Sequence, residues 1–157
     1  GSWSACGVGS KELLTLQVLN AGLDHGIKPA AATYAYAVLH RENSPDCLRA
    51  EANRFMILRN DADAQAVWDP LSIRGQAVFY RPAEITFPDG LAIKPDHPCI
   101  LLYNPEENGR MAFTLAQPEQ LGGMLTLRLS GRKDGSFGIQ LPAHEYVGSS
   151  VSFSCVF

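Results

Sequence analysis

A chain of 157 residues, 46% hydrophobic and 18% charged, has the composition of a globular protein with a core to bury. Its net charge of -3 offers no basic field to attract nucleic acid or another polyanion. No apolar run approaches the roughly 20 residues that span a bilayer, and no charged-then-apolar signal segment opens the chain.

Gly1-Ser2 reads as the remnant of a cleaved expression tag. Leu14, Leu16 and Val18 alternate with Thr15 and Gln17, which predicts a first strand over residues 13–19. Residues 22–32 hold Gly, Pro and small side chains and read as an ordered loop. Tyr34, Tyr36 and Val38 fall on one face of a second predicted strand. A helix is then signalled by Ser44 as cap, Pro45 at the first helical position and Asp46 at the positive end of the dipole. It should run to about Asn53 and rest Cys47, Leu48 and Ala52 on a sheet. Strands are predicted next over residues 55–58, 65–68, 76–80, 100–103, 111–115, 125–129 and 151–156.

Turn signals separate these runs: Asn60-Asp61, Pro88-Asp89-Gly90, Asn108-Gly109, Gly122-Gly123, Asp134-Gly135 and Gly148-Ser149. Asp134-Gly135 suits a two-residue hairpin turn, because both central residues then need positive φ. Residues 104–108 should form a longer hairpin loop. Strands at this spacing with such turns predict an all-β fold: an antiparallel β-sandwich with one short helix.

Candidate chemistry is sparse. His25, His40, His97 and His144 are scattered and form no metal-ligating motif, so neither a metal nor another cofactor is expected. No nucleophile elbow occurs, and Leu121-Gly122-Gly123-Met124 lacks the spacing and the Lys of a phosphate loop. In Asp24-His25-Gly26 the aspartate could orient the imidazole as a general base. The simpler role is a loop in which Gly26 supplies a backbone angle closed to other residues. Trp68, Tyr80 and Arg81 are the candidate carbohydrate-binding residues: sugar faces stack on rings, and Arg pairs with sulfate or carboxylate. Trp68 and Tyr80 could equally be packing residues, and Arg128, Arg132 and Lys133 a solvated hairpin end. Cys6, Cys47, Cys99 and Cys155 allow three pairings. Buried free thiols are the simpler reading, and a disulfide is its competitor in an oxidising compartment.

The stretch Asp24-His25-Gly26-Ile27-Lys28-Pro29-Ala30-Ala31-Ala32-Thr33-Tyr34-Ala35-Tyr36-Ala37-Val38-Leu39 resembles polysaccharide lyase family 8, which includes chondroitin and hyaluronan lyases. The family's pattern there is H-G-x-x-P-x-x-A-x-Y-x-Y-x-x-L. His40 departs from it, standing where many members have Pro. Ile57-Leu58-Arg59-Asn60-Asp61-Ala62-Asp63-Ala64-Gln65-Ala66-Val67 is similar to the start of the family's small C-terminal β domain. Gly75-Gln76-Ala77-Val78-Phe79-Tyr80-Arg81-Pro82-Ala83-Glu84-Ile85 continues it and looks most like the chondroitin ABC branch.

The resemblance implies that residues 3–53 end a large β domain (the super-sandwich) and that residues 54–157 form the small C-terminal sandwich. It implies a parent lyase acting on chondroitin sulfate or hyaluronan by β-elimination, secreted or periplasmic. The family's Asn, His, Tyr and Arg lie in an upstream α-helical toroid, and in the ABC branch a Glu comes from earlier in the β domain. No catalytic residue is therefore carried onto this chain, which is expected to be a structural piece, inactive alone. Its expected partners are the upstream catalytic domains of the same polypeptide and a glycosaminoglycan. A strand over residues 13–19 stripped of its neighbour would offer an edge for dimerisation. The alternative is a carbohydrate-binding β-sandwich module built on Trp68, Tyr80 and Arg81.

Overall fold

A computed structural model describes residues 7, 15, 17, 18, 20–30, 32–36, 38, 44–106, 109–131 and 134–156. The chain divides into two compact units, residues 1–35 and residues 36–157.

In the first unit the Asp24 carboxylate accepts from the Gly26 N–H at 2.8 Å, and Gly26 has φ +73°. The His25 ring lies 5.4 Å from that of Tyr34. Asp24 thus shapes a turn that glycine tolerates, which is the structural of its two predicted roles. Thr15, Gln17 and Val18 are not in a strand, and the remainder of the predicted strand over residues 13–19 lies outside the described residues. The described residues among 34–38 form no strand either. Alternation sets which side chains share a face, but a strand exists only where a neighbour takes up its backbone groups.

The second unit opens on helix α1 (Pro45–Ala52), bounded as its sequence signals. Ser44 Oγ accepts from the Cys47 N–H at 3.4 Å, and Pro45 stands first, where its missing N–H costs nothing. No residue of α1 is buried, so Cys47, Leu48 and Ala52 do not seat it on a sheet as expected. Two helical turns whose apolar side chains are Cys47, Leu48, Ala50 and Ala52 offer little area to bury. Its attachment is ionic instead: Arg54 donates to Glu51 and to Asp69, each at 3.1 Å.

Ten strands follow: β1 (Met56–Asn60), β2 (Ala64–Asp69), β3 (Arg74–Phe79), β4 (Ile85–Thr86), β5 (Ala92–Pro95), β6 (Cys99–Pro105), β7 (Arg110–Ala116), β8 (Met124–Ser130), β9 (Gly135–Gln140) and β10 (Val151–Val156). They make a six-stranded sheet in the order β1-β2-β3-β6-β7-β10 and a four-stranded sheet in the order β4-β5-β8-β9. Every pairing is antiparallel. The two sheets and the short helix are the predicted β-sandwich.

The core follows from period-two alternation. Ala66, Phe79, Leu101 and Leu115 point inward from the larger sheet, and Ile85, Ile93, Leu127 and Leu129 from the smaller. One cross-strand row of the larger sheet is nearly all aromatic: Trp68 faces Gly75, Gly75 faces Tyr103, Tyr103 faces Phe113, and Phe113 faces Phe153. The gap at Gly75 is filled by Phe87, which comes from between β4 and β5. Its ring lies 5.9 Å from Trp68 and 5.1 Å from Tyr103, centroid to centroid.

Strands β4, β5 and β9 were not expected. The first has only two residues, the second ends on Pro95, and the third contains Gly135 and Gly138, so none presents a run long enough or rich enough in β formers to read as a strand. Packing against the larger sheet supplies what propensity does not. The Asp134-Gly135 turn also needs correction. Gly135 pairs with Leu129 as the first residue of β9, and positive φ (122°) falls on Gly131 instead. Pro88-Asp89-Gly90 turns as its sequence signals, with Gly90 at φ +88° and its N–H bonded to the Phe87 carbonyl at 2.9 Å.

Cys47, Cys99 and Cys155 are free thiols, while Cys6 lies outside the described residues. Cys99 is fully buried, and burial pushes its thiol up to about 12. Such a thiol is unreactive at neutral pH.

Candidate functional site

The outer face of the larger sheet is where candidate binding residues gather. Gln65 stands opposite Asn60 across β1 and β2, and donates to its side-chain oxygen at 3.1 Å. Tyr80 follows β3 on the same face, and its hydroxyl donates to Gln65 Oε1 at 3.1 Å. Tyr80 is 49% exposed. The backbone N–H groups of Tyr80 and Arg81 both donate to the Asp63 carbonyl, which fixes where this pair leaves the sheet. Arg81 is exposed and reaches the Asp63 carboxylate at 3.5 Å.

Beneath that pair lies an ionic turn. Asp61 Oδ1 accepts from the N–H groups of Asp63 and Ala64 at 2.9 and 3.0 Å, and its Oδ2 from Arg59 at 2.7 Å. Arg59 also donates to the Glu84 carbonyl at 3.2 Å, joining the β1–β2 turn to the approach of β4. The Arg59 hydrogen bond, followed by the two backbone donors, holds the Asp61 carboxyl at about 2 instead of 3.8. A carboxyl depressed in the folded state stabilises the fold above its unfolded value. That contribution disappears as pH falls from about 4 to about 2. Asp61→Asn is therefore expected to lower the denaturation midpoint at pH 7 and to flatten its pH dependence in this window. Equal pH profiles for the variant and the parent would contradict this.

Trp68 does not join Tyr80 and Arg81. It is 5% exposed, on the inner face, in register with Gly75, whereas Tyr80 lies past the opposite end of the β2–β3 ladder, where Ala64 pairs with Phe79. Its ring is committed to the aromatic row and is unavailable to a sugar. Of the charged hairpin residues, Arg128 is exposed on β8, and Arg132 and Lys133 lie outside the described residues.

Two depressions open among the described residues. A shallow groove of about 230 Å³ crosses the outer face, bordered by Gln65, Val67, Gln76, Val78, Ile100 and Leu102. A second cavity, about 220 Å³, opens at one end of the sandwich beside Ile73, Asp89, Tyr103, Glu106 and Arg110. Its polar groups engage one another: Tyr103 donates its hydroxyl to the Asp89 carboxylate, and Arg110 Nε approaches Glu106 at 3.3 Å. Among the described residues no group of three or more His, Cys, Asp or Glu is placed to hold a metal ion. The site can accept and donate hydrogen bonds and offer one phenol ring. Sequence reasoning missed Gln65 and Asn60. A polar residue at alternate positions in an apolar strand is the signal that could have found Gln65.

The fold defines an antiparallel two-sheet sandwich domain. Residues 56–126 match the polysaccharide lyase family 8 C-terminal beta-sandwich domain. Chondroitinase-AC of Pedobacter heparinus is 29% identical over 146 residues, covering 90% of this chain and 21% of that protein. Hyaluronate lyase of Thermasporomyces composti is 31% identical over 125 residues, 78% of this chain and 15% of that one. Chondroitin sulfate ABC exolyase of Bacteroides thetaiotaomicron is 26% identical over 98 residues, 62% of this chain and 10% of that one. A solved chondroitinase AC lyase structure matches with a TM-score of 0.63 at 25% identity, over 71% of this chain and 17% of that chain.

The chain carries, over residues 56–126, the polysaccharide lyase family 8 C-terminal β-sandwich domain. It spans about a fifth or less of the length of these curated relatives. The expected affinity for the ABC branch is not upheld. The AC enzyme is more similar than the ABC exolyase, and over a longer stretch. The segment that suggested the ABC branch, residues 75–85, spans most of β3 and the approach to β4.

Proposed function

We propose that this domain is part of a glycosaminoglycan lyase that cleaves chondroitin sulfate or hyaluronan by β-elimination, and that it buttresses the catalytic machinery without containing it. The match over residues 56–126 carries the reading, supported by relatives named chondroitinase and hyaluronate lyase. Elimination at a uronic acid needs a base for the C5 proton, a group that neutralises the carboxylate, and an acid for the leaving oxygen. The outer face instead presents an amide–phenol network and ions paired with one another. The family resemblance assigns proton transfer to preceding polypeptide, which is the domain's partner in this reading. The resemblance of residues 24–39 to the family's segment at the end of its large β domain supports placing residues 3–53 there. A polymer too large to cross a membrane favours a secreted or periplasmic enzyme. Incubating the 157-residue chain with chondroitin sulfate and following the absorbance of unsaturated uronate ends tests this role. No product is expected, and turnover would refute it.

A second reading, carbohydrate binding, is favoured by the exposed Tyr80 ring with Gln65 and Asn60 beside it and Arg81 next in sequence. Titration with chondroitin oligosaccharides decides it: absence of binding at millimolar ligand counts against it, and loss of binding in Tyr80→Ala supports it.

A further inference from the structure

The two sheets end in four edge strands, and three of them are blunted. Strand β1 carries a register break between Ile57 and Arg59 and places charged Arg59 on its edge. Strand β4 has only two residues, and β9, although paired with β8 without a break, carries the weak β formers Gly135 and Gly138. A bulge, a charge, shortness and a weak β former are the usual ways of keeping another chain from adding to a sheet. Strand β10 has none of them. It runs Val151-Ser152-Phe153-Ser154-Cys155-Val156 without charge or proline, and pairs with β7 through six consecutive residues without a break. Among the described residues it is last in its sheet, so one side of its backbone ladder has no strand beside it.

Its side chains are ordered for a further strand. On the outer face Ser152 shares a hydrogen bond with Thr114 at 2.8 Å, and Ser154 accepts from Arg110 at 2.6 Å. On the inner face Val151, Phe153 and Cys155 pack against the core yet are only half-buried. A free ladder selects an extended strand, and its uncharged flanks select an uncharged one. Strand β10 satisfies that description itself. Antiparallel pairing of two copies about a two-fold axis, with Phe153 opposite Phe153, sets Ser152 against Ser154 and Val151 against Cys155. Within residues 151–155 the facing pairs are then alike in polarity, Val156 falls opposite Ser150 beyond the strand, and the aromatic row continues across the axis.

We propose that the free edge of β10 is a self-association surface, and that two copies of this chain join their six-stranded sheets through it. The proposal is independent of the lyase reading. Sedimentation velocity over a range of concentrations should show a dimer. Ser152→Lys places a charge on each side of the interface and should abolish the dimer while leaving the circular dichroism spectrum unchanged. Should that variant fail to fold, Val156→Lys at the end of the strand makes the same test. Leu102→Glu, on the outer face away from β10, should remain dimeric. A parent chain that is monomeric throughout overturns the proposal. So does a dimer that survives the β10 lysines, or one that is lost in Leu102→Glu.

Discussion

Gly75→Ala is expected to destabilise the sandwich by about 3 kcal/mol, at the upper end of overpacking in a close-packed core. An added Cβ would lie 2.2 Å from Phe87 Cε1, 2.7 Å from Cδ1 and 2.9 Å from Cζ. The Phe87 ring has little freedom to withdraw. It is 1% exposed and is flanked by Trp68 and Tyr103. The conflict therefore moves either the β4–β5 hairpin or strand β3. A lower urea midpoint at unchanged slope reads the effect. The double variant Gly75→Ala with Phe87→Ala should cost less than the sum of the two singles, because the second change removes the clash. An unshifted midpoint in Gly75→Ala, or strict additivity, would show that glycine is not needed as the socket for Phe87.

Phe113→Ala should cost about 3–5 kcal/mol, a large share of the roughly 5–15 kcal/mol that stabilises a typical domain. Phe113 is 1% exposed and sits between Tyr103, at 5.3 Å and 18° between planes, and Phe153, at 5.1 Å and 20°. Removing it opens a cavity and interrupts the aromatic row between β6 and β10. The loss should also be uneven. Amide exchange should accelerate more in β7 and β10, which carry the Phe113 and Phe153 rings that stack on each other, than in β2 on the other side of the sheet. A uniform change in exchange, or a loss below about 1 kcal/mol, the level of a conservative methyl deletion, would contradict the row as the core's spine.

Much of the sandwich is legible in the sequence because its information is local. Val151 to Val156 is an uninterrupted strand flanked by a Gly148-Ser149 turn, and it folds over those residues. Ser44, Pro45 and Asn53 delimit the helix for reasons confined to one segment. What escaped depends on partners distant in sequence. Ile85–Thr86 becomes a strand only because Ile93 and Ala92 lie opposite. Gly75 reads as a weak point in a strand until the ring twelve residues away that needs its space is known. The candidate site divides the same way. Tyr80 and Arg81 are exposed, but Trp68 was grouped with them on chemistry alone. Strand parity and the length of the β2–β3 ladder place it on the opposite face and at the far end. Gln65 and Asn60 were not singled out because amides carry no distinctive signal until a register sets them side by side.

The domain's place in a larger lyase is tested most directly by paired assays on chondroitin sulfate and on hyaluronan. One arm uses the 157-residue chain, and the other any longer polypeptide that its gene encodes. Unsaturated uronate ends should accumulate only with the longer polypeptide. Equal rates from the chain alone would place the proton-transfer groups within these residues and contradict the account.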